Sequence, residues 1–261
     1  MVAGYLGEGT FALVFERDGL AVKVTKRGNP NFDSAKRMLE HHDAYNDCLK
    51  RAGISTPYID SDIYEQDGLY RLRVYQRLLQ PAEQVSSVLQ ASEPGGCKRT
   101  IDGVIADLRK VHIYNAQHQT VRLGISGKPS SWFRDGEQLL YVDTFPPFFD
   151  AEGVVAEDIL TDYASLPKLT QLILPALRKR YFTFEGQVRK LAAGAYNLSN
   201  GIADELVDHV IEIATPNSSI LSTHVRDLDR TTFYDPDSFK FRLGKRVAEI
   251  LFGNSEFLPN F

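Results

Sequence analysis

The sequence contains only two cysteines among its 261 residues, Cys48 and Cys97. A disulfide framework needs several cysteine pairs, and a structural zinc site needs four closely spaced ligands, so this pattern argues against both. Two isolated thiols agree with a reducing compartment. Cysteine chemistry is therefore not expected to hold the fold together.

Long apolar runs and surplus positive charge are also lacking. No stretch approaches the roughly 18 apolar residues of a membrane span, and the N-terminus lacks the basic segment and apolar core of a secretory signal. The 30 Lys and Arg residues face 34 Asp and Glu residues, which gives a formal net charge of −4. A nucleic-acid partner would require a basic excess or a basic stripe. We expect a cytoplasmic protein with neither a membrane nor a nucleic-acid partner.

What the sequence does contain is a strand-rich beginning. Hydrophobic residues make up 43% of the chain, enough to bury the core of one large domain or two small lobes. Apolar segments separated by Gly-containing turns predict an antiparallel meander. A helix is predicted from Asp33, its N-cap, to Arg51, and Gly53 ends it. The predicted strands begin at Tyr5-Leu6 and continue with residues 11–15, 20–24, 57–63 and 69–78.

The remainder of the sequence is mainly helical in pattern. One hairpin interrupts it, because an Asp135-Gly136 turn separates Trp132-Phe133 from an apolar run at residues 139–142. Strands followed by helices are typical of an α+β fold. We expect a hinge between the two parts near residues 77–81. The predicted helices cover residues 82–91, 100–117, 155–180, 184–198, 201–214 and 235–252.

Two segments near the N-terminus suggest phosphate binding. In residues 7–14, two glycines separated by one residue let a hairpin turn approach a phosphate with its backbone N–H groups. Phe11 at the tip can cover the phosphates, and Val14 can pack on a base. Lys23 follows inside the apolar strand segment 21–24, where an unpaired ammonium would be costly to bury. This lysine therefore needs a specific partner.

Together, residues 6–11 and 21–24 resemble the glycine-rich loop and third-strand lysine of protein kinases and aminoglycoside phosphotransferases. The pattern departs from that family at Ala12, which stands in place of the third loop glycine, and the hairpin is shorter than usual. The resemblance implies a two-lobed kinase-like fold. Its N-terminal lobe, residues 1–79, would hold an antiparallel sheet and one helix, and residues 80–261 would form a mainly helical lobe. The alternative interpretation is a glycine-containing β-turn followed by a surface lysine.

The resemblance also implies ATP as cofactor. In that family the lysine contacts the α- and β-phosphates and pairs with an acid on the following helix. Glu40 is the first candidate for this acid and Asp43 the second, and a solvated helix face is the alternative for each. Residues 73–79 resemble the fifth strand and hinge, where main-chain groups would contact adenine. The residues assigned to the nucleotide are Gly7, Gly9, Thr10, Phe11, Val14, Lys23, Gln76 and Leu78.

The family's catalytic loop has an Asp, four residues and an Asn, followed by a hairpin and a metal-binding Asp. Here residues 124–133 and the hairpin lead to Asp143, and the resemblance implies that Asp143 binds Mg²⁺. Ser126 falls at the catalytic Asp position and Ser131 at the Asn position, where Ser131 would offer a second metal oxygen. A hydroxyl is no base near neutral pH, so Ser126 cannot replace the Asp. Lys128 would stabilise the γ-phosphate. The expected catalytic set is Lys23, Glu40, Ser126 and Lys128.

The leading functional hypothesis is an ATP-dependent phosphotransferase that acts on a small hydroxylated or amino-bearing metabolite. The Asp-Gly turn before Asp143 and the compact size resemble the small-molecule branch more than protein kinases. The missing loop Asp favours an alternative, a catalytically weak or inactive kinase-like module that binds nucleotide or a partner. An atypical protein kinase is a third hypothesis. The sequence indicates neither the acceptor nor the oligomeric state.

Overall fold

A computed structural model describes residues 4–8, 12–145, 149–151, 181–198 and 202–214. The N-terminal part forms a five-stranded antiparallel sheet in the order β1-β2-β3-β5-β4. Two of its connections are tight turns with positive φ at both central residues, Asp18-Gly19 and Asp67-Gly68. Such turns match the twist of the flanking strands and favour Gly at the second position. The strands are β1 (Gly4–Glu8), β2 (Ala12–Arg17), β3 (Leu20–Thr25), β4 (Tyr58–Gln66) and β5 (Leu69–Arg77).

The first helix, α1, spans Phe32–Arg51. Its N-cap is Asn31, whose side chain accepts hydrogen bonds from the main chain of the first turn, whereas Asp33 was the predicted cap. Asp33 instead lies in the first turn, where its charge suits the helix dipole. Gly53 (φ 75°) ends the helix as predicted, and Ile54 N donates to Leu49 O at 2.9 Å. This left-handed residue satisfies carbonyls that the helix leaves without partners.

Helix α1 connects the sheet to the helical part of the protein. Near its N-terminus, Met38 packs with Leu72 and Val74 of β5. Near its C-terminus, Tyr45 and Leu49 belong to the main hydrophobic core, which the other helices also line. Full burial of a side chain such as Leu49 contributes roughly 1.5–3 kcal/mol. Both ends of α1 therefore hold the sheet at a defined position against the helices.

The helices of the second part confirm the α+β class. Those that the structure describes are α2 (Val85–Ala91), α3 (Pro94–Gln117), α4 (Phe184–Leu198) and α5 (Ala203–Ala214). Helix α3 begins six residues before the predicted start at 100, with a proline in its first turn. Proline suits that position because its missing N–H has no partner there in any case. The predicted helices at 155–180 and 235–252 lie outside the described residues.

Along the chain, the strands of two small sheets lie between α3 and α4. The predicted hairpin is present as β7 (Trp132–Asp135) and β8 (Gln138–Tyr141), with Gly136 at φ 63° in its turn. A second pair, β6 (Val121–Leu123) with β9 (Phe149–Ala151), was not predicted, because strands of three residues carry too little pattern. Among the described helices, none is both long and apolar enough to cross a bilayer.

Candidate functional site

Lys23 lies in the middle of the sheet, on the face that α1 covers. Strand β3 places it opposite Val14 of β2 and Val74 of β5. The part-buried ammonium donates a hydrogen bond to the main-chain oxygen of Val142. Burial lowers the pKa of Lys23 to about 8, while the nearby carboxylate of Asp143 acts in the opposite direction. No described carboxylate lies within ion-pair distance, so Lys23 keeps an incompletely balanced charge.

Asp143 follows closely after β8. It is next to Val142, whose main-chain oxygen accepts the hydrogen bond from Lys23. The hydroxyl of Ser131 donates to Asp143 Oδ2 at 3.2 Å. Val142 N in turn donates to Ser131 O at 2.9 Å, so main chain and side chain both tie the loop to this segment. The structure therefore brings Lys23 close to Ser131 and Asp143, although Lys23 is far from both in the sequence.

Gln76 contributes a side chain to this site, where its main chain was predicted to contact adenine. Within the sheet it lies opposite Ala21 of β3 and Tyr58 of β4, so its backbone belongs to the strand ladders. Its Nε2 donates to Val142 O and to Thr144 Oγ1, both at 3.2 Å. The structure therefore places the side chain of Gln76 in the site, and the main-chain contact with adenine stays a prediction. Leu78, for which the same contact was predicted, lies just beyond the end of β5.

Neither acid that we expected to pair with Lys23 does so. The side chain of Glu40 is 62% exposed and its carboxylate lies 3.8 Å from Lys36 on the outer face of α1. Asp43 accepts hydrogen bonds from Tyr58 OH at 2.8 Å and from Ser61 Oγ at 2.7 Å. Asp43 therefore fastens α1 to β4 instead of reaching Lys23.

The electrostatics of Asp43 agree with this fastening role. Burial alone would raise the pKa of Asp43, but hydrogen bonds from His42, Ser61 and Tyr58 outweigh it and hold the pKa below its usual value. A carboxylate that accepts several hydrogen bonds is stabilised in its charged form. Asp43 therefore remains ionised near neutral pH and keeps both of its contacts with β4.

His42 is the α1 side chain that interacts electrostatically with Lys23. It is fully buried, between the rings of Tyr58 and Phe145. Burial lowers the pKa of His42, so the imidazole is neutral near neutral pH. Helical spacing placed His42 on the inward face of α1, but nothing in the sequence indicated that this position meets the lysine. A neutral ring cannot balance the ammonium, which leaves that charge available to an anion.

Ser126 has a structural place in the loop. It is only 2% exposed, and its N donates to Tyr141 OH at 3.1 Å. Its side-chain oxygen accepts from Lys128 N at 3.3 Å, and its carbonyl accepts from Trp132 Nε1 at 2.8 Å. These contacts argue against the catalytic assignment of Ser126. Lys128 itself is exposed, and its contact with a γ-phosphate stays a prediction.

Two buried tyrosines hold the loop of residues 124–133 in place through hydrogen bonds. Tyr45 OH donates to Gly124 O at 2.9 Å, and the hydroxyls of Tyr45 and Tyr141 also interact with each other. Burial raises the pKa of both phenols, so they stay protonated. The first residues of the loop are thereby anchored to α1 and β8.

Replacing Tyr141 by Phe is expected to lower the free energy of unfolding by about 1–3 kcal/mol, because the buried N–H of Ser126 loses its acceptor. Urea denaturation measures the change. Tyr196→Phe serves as the control, since Tyr196 is partly exposed on α4. Equal stabilities for the two variants would contradict the anchoring role of Tyr141.

Two residues beside Lys23 on the same face of the sheet are less buried than their neighbours. Val14 and Ala21 are only part-buried, whereas Leu72 and Val74 on that face are buried. At the start of the sheet, the register of β1 shifts between Tyr5 and Gly7 (φ 153°), and a side chain at Gly7 would meet nothing within 4 Å. Three further residues assigned to the nucleotide lie outside the described ranges, namely Gly9, Thr10 and Phe11.

The fold and this site define an α+β protein in which a sheet lysine donates to the main chain of Val142, next to a carboxylate that follows a hairpin. The chain belongs to a family of unknown function, DUF6206, whose model matches residues 6–222. No curated protein matches the chain. In the ranges that the structure describes, no three His, Cys, Asp or Glu side chains form a ready-made metal site.

Proposed function

We propose that this protein is an ATP-dependent phosphotransferase acting on a small hydroxylated or amino-bearing metabolite. The observation that carries the proposal is the convergence of the Lys23 ammonium and the Asp143 carboxylate around Val142. In this proposal the two groups face each other across the cleft of a two-lobed kinase-like fold, with residues 1–79 as the smaller lobe and 80–261 as the larger.

The residues around Lys23 suit a nucleotide triphosphate. An ammonium has three donors, and here one of them is used by Val142 O, so two remain for phosphate oxygens. Burial has lowered the pKa of Lys23, and an anionic phosphate would raise it again because it stabilises the charged form. Val14 and Ala21 provide a part-buried apolar strip on which a base can lie. The turn from Gly7 to Phe11 would cover the phosphates.

The donor set around Asp143 suits Mg²⁺ in the presence of phosphates. Magnesium is commonly held by one or two carboxylates together with substrate phosphates and waters. Asp143 would supply the carboxylate and Ser131 the hydroxyl oxygen, and their mutual hydrogen bond already places both at one point. When bound, the ion would neutralise charge on the transferring phosphoryl group. Lys23 would hold the phosphates on the opposite side.

The loop favours a second candidate function. Ser126 stands at the position of the catalytic Asp, is buried, and has its hydroxyl oxygen engaged with Lys128 N. Without a base, phosphoryl transfer typically slows by about 10²–10⁴-fold. A kinase-like module that binds nucleotide or a partner without efficient turnover agrees with this loop. An atypical protein kinase would also require a catalytic base, and Ser126 cannot supply one.

Two measurements on the wild type test the proposal. Mg·ATP at about 100 times its Kd should raise the free energy of unfolding by about 2.7 kcal/mol. Transfer of the γ-phosphate is then followed across a panel of hydroxylated and amino-bearing metabolites. Stabilisation without transfer to any acceptor would favour the binding module, and an unchanged unfolding midpoint would refute both functions.

The Asp143→Asn variant tests the metal assignment. We expect its affinity for Mg·ATP to fall by about tenfold, because an amide oxygen carries no charge for the cation to balance. Affinity for ATP without Mg²⁺ should change little. Asp67→Asn is the matched control, since Asp67 lies in the exposed β4–β5 turn at φ 55°, which Asn also tolerates. Equal Mg²⁺ dependence in the two variants would contradict the role of Asp143.

A further inference from the structure

The side-chain amide of Gln76 is held in one orientation. Its Nε2 donates to Val142 O and to Thr144 Oγ1, each at 3.2 Å. A main-chain carbonyl can only accept hydrogen bonds, so the nitrogen of the amide must face Val142. Turning the amide over would put Oε1 against that carbonyl and set two acceptors against each other. The two contacts therefore also determine where the oxygen of Gln76 lies.

That oxygen is an acceptor in need of a donor. Gln76 is 2% exposed, yet within the described residues its Oε1 accepts no hydrogen bond. Among described residues, the fully enclosed side-chain oxygens without a partner are Asn46 Oδ1 and Gln187 Oε1, and Gln76 Oε1 does not share their enclosure. It therefore keeps a small exposed area. A nearly buried amide with one accessible, unsatisfied oxygen presents an acceptor to whatever lies beside it.

Strand pairing shows how far Gln76 lies from Lys23 in the sheet. On β5, Gln76 lies two residues beyond Val74, which is opposite Lys23, so the two sites are about 6–7 Å apart along the sheet. Gln76 and Lys23 both donate to Val142 O. Ala21, which is part-buried, is opposite Gln76. Gln76 therefore lies beside the strip proposed for the base.

We propose that Gln76 selects the nucleobase, with its Oε1 accepting a hydrogen bond from the exocyclic amine of adenine. The inference rests on the proposed nucleotide site and adds the residue that determines its specificity. Guanine and hypoxanthine carry a carbonyl oxygen where adenine carries the amine. Against Gln76 Oε1 such a base opposes acceptor to acceptor and leaves both without a donor. A site that offers a fixed hydrogen-bonding group rejects ligands that leave it unpaired.

The test compares the affinities of the wild type for Mg·ATP, Mg·ITP and Mg·GTP by calorimetry. ITP differs from ATP at the purine 6-position, where a carbonyl replaces the amine. We expect ATP to bind at least about tenfold more tightly than either competitor, the effect of one hydrogen bond gained against one acceptor left unpaired. This comparison requires no variant. Equal affinities for ATP and ITP would overturn the role of Gln76 and leave the proposed function standing.

The Gln76→Met variant locates the selectivity. It keeps the length of the side chain but removes the acceptor, so the ratio of ITP to ATP dissociation constants should fall to near one. Binding of Mg·tripolyphosphate should match the wild type, because that ligand has no base. Gln138→Met is the control, as Gln138 is exposed and donates to Ser55 Oγ. A Gln76→Met protein that retains the full preference for ATP would refute the inference, and failure of the wild type to bind any triphosphate would refute the proposed function with it.

Discussion

The Lys23→Met variant is expected to bind Mg·ATP about 100-fold more weakly than the wild type. The ammonium has two donors left for phosphate oxygens, and each charge-assisted hydrogen bond contributes about 1.5–3 kcal/mol. Met has nearly the same length and fills the same part-buried position on β3, so the sheet should not rearrange. Isothermal calorimetry at neutral pH measures the loss.

The same substitution should make the ligand-free protein more stable. Lys23 has a pKa of about 8 in the folded protein, below the ordinary lysine value of 10.5. Below pH 8 the buried charge costs about 2–3 kcal/mol, which Met avoids. Between the two pKa values the unfolded chain binds more protons, so the contribution of Lys23 to stability rises with pH. The stability advantage of the variant should therefore shrink as the pH rises from 8 to 10.5.

Lys36→Met controls for the loss of a lysine as such. Lys36 is on the exposed face of α1, near Glu40, and its side chain is 60% exposed. An exposed ion pair of this kind contributes about 0.5 kcal/mol or less. Neither nucleotide affinity nor the pH dependence of stability should change appreciably. A Lys23→Met protein that behaves like this control would show that Lys23 is an ordinary sheet lysine.

The second large effect is expected for Gly127→Ala. A Cβ at this position would lie 2.0 Å from Gln187 O in α4, closer than any real contact permits. Either the loop or the helix must move, and we expect a loss of about 3 kcal/mol in the free energy of unfolding. Because Ser131 and Asp143 depend on the position of this loop, phosphoryl transfer should also fall by about 100-fold. Urea denaturation and transfer assays measure the two effects.

Gly95→Ala is the matched control for this substitution. Gly95 lies near the exposed start of α3, where an added Cβ comes no closer than 3.7 Å to the Arg99 guanidinium. Replacing a helical glycine by alanine should raise stability by about 0.5–1 kcal/mol. If Gly127→Ala were as stable and active as Gly95→Ala, the close packing of the loop against α4 would not matter to the site.

Local sequence features accounted for the elements on which the site is built. The five strands followed from alternating apolar residues and from turns such as Asp18-Gly19, whose left-handed geometry is written into the residue types. Gly53 marked the end of α1 for the same reason. Lys23 stood out because it is a charged residue within an apolar strand segment, where a charge requires a partner, and Asp143 stood out through the resemblance of the loop and hairpin before it. These signals depend on neighbours in sequence, so they survive without knowledge of the tertiary structure.

The partners within the site did not follow from the sequence in the same way. Glu40 and His42 are two residues apart on α1, and only the packing of Met38 against the sheet decides which of them faces Lys23. Strands β6 and β9 pair although they are far apart in the sequence, and each contributes only three residues to the pairing. Strand β5 pairs with β3 on one edge and with β4 on the other, so Gln76 contributes its side chain to the site. Each outcome depends on helix rotation or strand register.

By itself, therefore, the sequence determined the order of the first five strands and of the described helices, and the lysine that requires a partner, because these are consequences of local residue pattern. The tertiary structure alone decided that Lys23 and Gln76 share Val142 O as an acceptor and that His42 interacts electrostatically with the lysine. It also decided that Asp43 binds side chains of β4 and that Ser126 is buried within its loop. Those contacts join residues far apart in the chain, and their existence depends on burying apolar surface elsewhere, which no local pattern records.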